Sequence, residues 1–200
     1  MRILVVGATG TLGRPVVQAL SLVHDVVAAS RGGAVRVDID DPASIRAMYA
    51  ELGAVDAVVC AAGRAAHGPL AELSDDDLEA SLHSKLMGQV DLVRFGLDNV
   101  LDDGSFTLTA GTLARYPEPG STAMSLVNSA LEGFVRAAAL DAPRGIRINV
   151  ISPPWATETL EARGADASLG LPASEIATLY VQSVTGQQNG AVIEAPRPGV

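Results

Sequence analysis

The sequence predicts a layered α/β fold, in which a doubly wound parallel sheet forms a single domain. Apolar, strand-like runs alternate with amphipathic helical segments along the chain, which is typical of βαβ units. Hydrophobic residues make up 48% of the 200 residues and aromatic residues only 4%, so the core is expected to consist of Ala, Val, Leu and Ile. Because no Pro-, Ser- or Gly-rich linker divides the chain, we expect one domain over residues 1–200.

Short apolar runs predict seven strands. They lie near Ile3–Val6, Val26–Ala29, Val35–Val37, Ala57–Cys60, Ser105–Thr109, Arg147–Ile151 and Ala191–Glu194. A long helix is predicted after Ser74, which can cap it together with Asp77 as the acidic third residue, and it is expected to run to about Val100. A second long helix is predicted from roughly Ala123 to Leu140, because apolar residues recur on one face there.

Charge, cysteine content and hydropathy exclude several classes of protein. A net charge of −9 argues against nucleic-acid binding. Cys60 is the only cysteine, which excludes an internal disulfide and a cysteine-built metal site. No apolar run approaches the roughly 20 residues that a membrane span needs, and the N-terminus lacks the pattern of a signal peptide. We therefore expect a soluble, cytoplasmic protein without a metal ion or a membrane partner.

The most informative motif is the glycine-rich turn from Gly7 to Gly13, which separates the first strand from an amphipathic helix. The dinucleotide site of Rossmann-type folds is formed by a strand, a glycine turn and the first turn of a helix, in this order. The glycines allow a tight turn, let backbone N–H groups approach a pyrophosphate and let the helix pack on the strand. A purely structural turn is the alternative interpretation. The cofactor-binding residues predicted here are Gly7, Thr9, Gly10, Thr11, Leu12 and Gly13.

Further segments follow the glycine turn in a characteristic order. Ser30-Arg31 ends the second strand, Asp38-Ile39-Asp40-Asp41 follows the third, and Cys60-Ala61-Ala62-Gly63 follows the fourth. The segment Gly145–Pro154 reads GIRINVISPP. With the glycine turn, this order resembles the short-chain dehydrogenase/reductases over essentially the whole chain. The resemblance implies a Rossmann-type fold, a nicotinamide cofactor and oxidoreductase chemistry.

The resemblance also implies contacts to the cofactor. Asp38 lies where the family contacts the adenine, although it can equally be a turn or cap residue before Pro42. Thr157 falls where a threonine often meets the nicotinamide amide. By this resemblance the further cofactor-binding residues are Asp38, Ile39, Ala61, Ala62, Gly63, Lys85, Pro153 and Thr157.

The end of the second strand predicts the choice of cofactor. An acidic residue there would accept hydrogen bonds from the adenosine ribose, whereas a basic residue would pair with a 2′-phosphate. Ser30 and Arg31 therefore favour NADP over NAD. The alternative is that Arg31 is a solvated loop residue.

The chain departs from the family at the catalytic positions. The family uses a Tyr-x-x-x-Lys pair on its long fifth helix, and alignment places Met124 and Asn128 at these two positions. Methionine has no proton to donate, and asparagine has no positive charge to grip a ribose. The family's serine falls on Ala110, Gly111 or Thr112, and its helix-four asparagine falls on Lys85.

Four residues are candidate catalytic substitutes: Lys85, Thr109, Thr112 and Tyr116. Lys85 can bind a ribose or an oxyanion as an ammonium and, if partly desolvated, act as an acid or base, or it can be a surface lysine. The threonines offer hydroxyls at the end of the fifth strand, where such sheets bind ligands, or they satisfy backbone groups. Tyr116 is either a relocated acid or part of a turn.

The sequence thus leads to one principal hypothesis and two alternatives. The principal hypothesis is an NADP(H)-dependent oxidoreductase that acts on a small carbonyl or alcohol with an atypical active site. The alternatives are an enzyme of non-redox chemistry on the same fold, and a sensor that binds NADP(H) without turnover.

Trp155 is either a wall of the substrate pocket or an anchoring hydrophobe. The resemblance further implies a homodimer or homotetramer paired through the fourth and fifth helices.

Overall fold

Within residues 1–196, which the computed structural model describes, seven strands form one sheet. The strands are β1 (Arg2–Val6), β2 (Asp25–Ser30), β3 (Val35–Arg36), β4 (Val55–Cys60), β5 (Val100–Thr109), β6 (Arg147–Ser152) and β7 (Val192–Glu194). All neighbouring strands are parallel, in the order β3-β2-β1-β4-β5-β6-β7. This confirms the predicted Rossmann-type fold. Of the domain predicted over residues 1–200, residues 197–200 lie outside the described part.

Helices cover both faces of the sheet. They are α1 (Gly13–Leu20), α2 (Pro42–Leu52), α3 (Asp75–Ser81), α4 (Gly88–Gly96), α5 (Thr122–Asp141), α6 (Thr157–Ala162) and α7 (Ala173–Thr185). Helices α2, α4 and α5 bury residues such as Ile45, Leu92 and Leu131 against one face, and α1 and α7 bury Val16 and Ile176 against the other. In the described chain no helix has the length and apolar character needed to cross a membrane.

The predicted single helix from Ser74 to about Val100 is wrong in its extent. A π-helical segment, Leu82–Met87, separates α3 from α4, and α4 ends at Gly96. There the Asn99 N–H donates to the Gly96 carbonyl at 2.9 Å, and the Asn99 carbonyl accepts from the Val55 N–H at 2.9 Å. These bonds turn the chain into β5, which therefore begins at Val100.

The start of α3 follows the prediction. The Ser74 hydroxyl accepts from the Asp77 N–H at 3.2 Å, and the Asp77 carboxylate accepts from the Ser74 N–H at 3.1 Å. This reciprocal pair satisfies two N–H groups that would otherwise lack a partner within the helix. It fixes the start of the helical stretch that carries Lys85.

Replacing Ser74 by alanine is expected to lower the free energy of unfolding by about 1 kcal/mol, because the hydroxyl that accepts from the Asp77 N–H is lost, whereas the backbone N–H of residue 74 can still donate to the Asp77 carboxylate. Urea unfolding followed by circular dichroism measures the change. Ser21→Ala is the matched control, since Ser21 is exposed and its cap contact to α1 is made by the backbone. Equal destabilisation by the two substitutions would contradict the role of the cap.

Candidate active site

Two cavities lie along the carboxyl ends of the strands, where open parallel sheets bind ligands. The first, of about 460 Å³, is called the glycine-turn cavity. It is lined by Val6, Gly7, Thr9, Gly10, Ser30, Arg31, Gly32, Val37, Asp38, Ile39, Asp40, Ala61, Ala62, Gly63, Arg64 and Ser84. The second, of about 310 Å³, is called the Lys85 cavity. It is lined by Leu12, Gly63, Arg64, Ala65, Lys85, Thr109, Ala110, Gly111, Thr112, Leu113, Met124, Asn128, Pro153, Pro154, Trp155, Ala156, Thr159 and Arg163.

The two cavities share Gly63 and Arg64 and so form one cleft. Ten predicted cofactor residues line the first cavity: Gly7, Thr9, Gly10, Ser30, Arg31, Asp38, Ile39, Ala61, Ala62 and Gly63. Three more, Leu12, Lys85 and Pro153, line the second. The cleft therefore brings most of the predicted cofactor site together with the predicted catalytic region.

The glycine turn has the geometry of an anion cradle. Gly7 has a φ of +82°, and a Cβ added there would lie 2.8 Å from the Ala62 Cβ. A Cβ added at Gly13 would overlap the Gly7 carbonyl, so Gly13 is the residue that brings α1 close to β1. No side chain caps α1; its Arg14 N–H donates to the Gly10 carbonyl at 3.1 Å and Pro15 has no N–H, which leaves the Gly13 N–H at the helix start for an anion. Thr11 is exposed and lies outside the lining of both cavities.

The far end of the glycine-turn cavity is formed by the ends of β2 and β3. Ser30 is buried and Arg31 is exposed, and both line the cavity. The Asp38 carboxylate accepts from the Asp40 N–H at 3.1 Å, so Asp38 is a turn residue as well as a lining residue. The cap of α2 is Asp41. The contact of Asp38 with an adenine stays a prediction.

Arg64 joins the two cavities and was not singled out from the sequence. Its guanidinium pairs with the Asp40 carboxylate at 2.5 Å, and its backbone N–H donates to the Ser84 hydroxyl at 3.4 Å. Asp40 and Ser84 line the glycine-turn cavity with it. The signal available in the sequence was its position directly after Cys60-Ala61-Ala62-Gly63, the segment that was assigned to the cofactor.

Lys85 stands where the two cavities meet. It lies in the π-helical segment, is half-buried, and packs against Gly63, whose added Cβ would lie 3.0 Å from the Lys85 Cδ. In residues 1–196 no carboxylate forms an ion pair with it. Burial lowers the pKa of Lys85 to about 8. Lys85 is thus an ammonium group that can release its proton near neutral pH.

Gln89 fixes the π-helical segment to the end of β5. Its side-chain amide donates to the carbonyls of Lys85 and Thr109, both at 2.9 Å, and its oxygen accepts from the Thr109 N–H at 2.8 Å. The side chain is fully buried. Gln89 therefore positions the backbone of Lys85, a role that a lone glutamine in an amphipathic helix does not reveal.

The hydroxyl candidates differ in where the structure places them. The Thr109 hydroxyl donates to the Cys60 carbonyl at 2.5 Å and lies 2.6 Å from the Tyr180 hydroxyl, so it belongs to the packing between β4, β5 and α7. Thr112 lines the Lys85 cavity, and its N–H donates to the Pro153 carbonyl at 2.9 Å. Tyr116 is 42% exposed and lies outside the lining of both cavities. Thr109 and Thr112 therefore line the same cavity as Lys85, with the Thr109 hydroxyl engaged by the Cys60 carbonyl and the Tyr180 hydroxyl, whereas Tyr116 lies outside that lining.

Met124 and Asn128 both line the Lys85 cavity from α5. Asn128 is only 5% exposed, and among residues 1–196 its Oδ1 has no hydrogen-bond partner. An unpartnered buried acceptor is costly unless a ligand donates to it. The cavity is thus suited to a ligand that carries a hydroxyl or another donor near Asn128.

The segment after β6 forms the outer wall of the Lys85 cavity. Pro153, predicted as a cofactor-binding residue, and Trp155, predicted as either a pocket wall or an anchoring hydrophobe, both line it. The Thr157 N–H donates to the Leu171 carbonyl at 3.0 Å, and Thr157 lies outside the lining. Thr159, one helical step further, lines the cavity instead. The two threonines are both half-buried, and the course of the folded segment, which the sequence alone does not show, places Thr159 rather than Thr157 at the cavity.

Cys60 has no nucleophilic character in this environment. It is fully buried, and burial raises the pKa of its thiol to about 11. In the described part of the chain, no cluster of three His, Cys, Asp or Glu residues could hold a metal ion.

Sequence comparison assigns the family. The family model described as enoyl-(acyl carrier protein) reductase matches residues 15–188. The chain belongs to the short-chain dehydrogenase/reductase family. A mouse 3-oxoacyl-[acyl-carrier-protein] reductase is 27% identical over 140 residues, which are 66% of this chain and 59% of the mouse protein. The chain thus matches less than two thirds of the length of that relative.

Solved structures of this dehydrogenase/reductase fold are similar over nearly the whole chain. A Listeria innocua protein is 38% identical, with a TM-score of 0.94, over 98% of this chain and 100% of the other. A small-chain dehydrogenase in complex with NADPH is 26% identical, with a TM-score of 0.89, over 98% of this chain and 96% of the other. These matches agree with the fold predicted from the glycine turn and the alternating elements.

Proposed function

We propose that this short-chain dehydrogenase/reductase moves a hydride between NADP(H) and a small carbonyl or alcohol, with Lys85 as the proton donor and acceptor. The observation that carries the proposal is the position of Lys85. Lys85 lines the second cavity and packs against Gly63, which lines both; it is half-buried and has no carboxylate partner in the described chain. The lowered pKa, about 8, suits a group that exchanges protons near neutrality.

The glycine-turn cavity fits a dinucleotide. The uncapped start of α1 and the glycine turn suit the pyrophosphate, while Ser30 and Arg31 suit a 2′-phosphate. Asp38 and Ile39 line the adenine end. A related dehydrogenase with a similar fold carries NADPH, which supports the choice of NADP. When bound, the cofactor supplies or accepts the hydride.

Lys85 handles the proton. As the carbonyl carbon gains a hydride, the C=O π electrons move to the oxygen, and the Lys85 ammonium gives that oxygen a proton. The products are an alcohol and a neutral amine, which regains its proton from water. In the reverse direction the neutral amine removes the hydroxyl proton as the hydride leaves the carbon.

Asn128 and Thr112 hold hydroxyl groups beside this reaction. The unpartnered Oδ1 of Asn128 accepts a hydrogen bond from a ribose or substrate hydroxyl. Asn128 is thus a neutral acceptor at the position where the family has the lysine of its Tyr-x-x-x-Lys pair. Thr112 lines the same cavity and can offer its hydroxyl. Neither group needs to change its protonation state, so both act by positioning.

The cofactor preference gives a direct test. We expect tighter binding of NADPH than of NADH, and Arg31→Asp is expected to weaken NADPH binding by about 10- to 100-fold, because it replaces a phosphate partner by a repelling charge. Calorimetric titration at matched ionic strength measures both affinities. Arg36→Asp, which makes the same change in charge, is the control, since Arg36 is an exposed arginine of β3 outside the cavity lining. An equal loss of NADPH affinity in both variants would mean that only the overall charge of the protein matters, and not a contact of Arg31 with the phosphate.

Turnover is tested by following NADPH oxidation with a panel of small aldehydes and ketones. Stoichiometric formation of the alcohol supports the proposal. Tight NADPH binding without oxidation by any carbonyl would favour an NADP(H)-binding sensor. Conversion of a substrate with no net change in the cofactor would favour non-redox chemistry in the same cleft.

A further inference from the structure

The Lys85 cavity has an unusual charge for this protein. The chain has a net charge of −9, yet the cavity lining contains Arg64, Lys85 and Arg163, and among the described lining residues there is no Asp or Glu. An excess of positive charge in a small cavity attracts an anion. The excess of positive charge is confined to the cavity, since the net charge of the whole molecule is negative.

The three cationic groups are not equally available. Arg64 is already paired with Asp40 at 2.5 Å, and Lys85 is assigned to the reacting oxygen. Arg163 forms no ion pair within residues 1–196. One guanidinium with a single positive charge therefore remains to bind a ligand.

Trp155 holds the Arg163 guanidinium against the cavity. The Cζ of Arg163 lies 4.5 Å from the centre of the Trp155 ring, and both residues line the cavity. Stacking on an aromatic face restricts the guanidinium while its N–H groups stay available at the rim. The planar N–H fork of arginine matches the two oxygens of a carboxylate.

We propose that the substrate of the Lys85 cavity is an oxo acid, whose carboxylate binds Arg163 on the Trp155 ring while its ketone or aldehyde faces Lys85. The assignment of the carbonyl to Lys85 rests on the proposed function. The carboxylate is favoured because its single charge matches the one unpaired guanidinium. Leu12, Leu113 and Met124 line the same cavity and offer apolar surface to a short carbon chain.

Trp155 provides a readout that does not depend on turnover, because it is the only tryptophan in the sequence. The probes are pyruvate, acetoacetate and levulinate, whose ketones lie stepwise further from the carboxylate, each with its methyl ester. They are titrated into the protein saturated with NADP⁺, and Trp155 fluorescence is followed. We expect at least one acid to bind saturably and about 10-fold or more tighter than its ester.

Two arginine variants make the test specific. Arg163→Gln is expected to weaken binding of that acid by about 10-fold or more and to leave the ester unchanged. Arg46→Gln is the matched control, because the Cζ of Arg46 also stacks on a ring, 3.4 Å from the centre of Phe95, outside the cavity. It is expected to change neither affinity.

The results separate this inference from the proposed function. Saturable binding of an acid that depends on Arg163 supports the inference, even if NADPH reduces none of the probes. Reduction of the esters as fast as the acids, with no loss in Arg163→Gln, overturns the inference and leaves the reductase proposal standing. The absence of a saturable signal with every acid also overturns it.

Discussion

Replacing Lys85 by alanine is expected to lower kcat/KM for carbonyl reduction by about 100- to 10,000-fold, the contribution typical of a positioned general acid. The reason is that Met124 and Asn128, its neighbours in the cavity lining, have no proton of suitable acidity to replace it. Steady-state oxidation of NADPH with a carbonyl substrate measures the loss. Single-turnover rates show whether the loss lies in the chemical step.

The pH profile follows from the pKa of Lys85, which burial lowers to about 8. Reduction needs the ammonium form, so kcat/KM is expected to fall as the pH rises through this value. Oxidation of the alcohol needs the neutral amine and is expected to rise over the same range. The negative charge of a bound dinucleotide favours the ammonium form of Lys85. The fall in the rate of reduction and the rise in the rate of oxidation are therefore both expected at or above pH 8.

Lys85→Arg separates charge from proton transfer. The guanidinium keeps a positive charge beside the cofactor, but it does not release a proton in the accessible pH range. We expect this variant to bind NADPH but to lose turnover. The fall of kcat/KM for reduction with rising pH is expected to disappear as well. Because Lys85 is the only lysine, an amine-specific reagent modifies only this side chain and the N-terminus. Full activity of Lys85→Arg, or of the modified protein, would remove proton donation by Lys85 from the mechanism.

The nucleotide end of the cleft could be predicted from sequence because its determinants are local. The glycine turn, Ser30-Arg31 and Ala61–Gly63 each directly follow a strand, and parallel strands place their carboxyl ends at one edge of the sheet. Once the strands are recognised, their alignment along that edge follows from the fold class. The same reasoning predicted Ser74 and Asp77 as the cap of α3, since a capping box spans only four residues.

The Lys85 cavity could be predicted only in part, because partners distant in sequence decide it. The Thr109 hydroxyl contacts Tyr180, which lies 71 residues away, so its direction could not be inferred from the strand end. Arg163 and Trp155 belong to the segment after β6, yet they line the same cavity as Lys85 from the π-helical segment. Side-chain direction and charge balance at such a junction depend on tertiary packing, which a single sequence does not specify.

Gly13→Ala is expected to have the second largest effect, destabilising the fold by about 3 kcal/mol and weakening NADPH binding by about 100-fold. The added Cβ would overlap the Gly7 carbonyl, which is backbone, so the conflict is relieved only by moving α1 away from β1. That movement displaces the N–H groups that are expected to face the pyrophosphate. Urea unfolding measures the first effect, and calorimetric titration with NADPH measures the second.

Gly133→Ala is the matched control, because the two substitutions are chemically identical and differ only in surroundings. Gly133 is exposed in the interior of α5, and an added Cβ would meet no atom within 4 Å. Since alanine restricts the unfolded chain and favours helix, this variant is expected to be more stable by about 0.5–1 kcal/mol and to bind NADPH normally. Normal NADPH affinity in a folded Gly13→Ala protein would show that close packing of α1 on β1 does not shape the cofactor site.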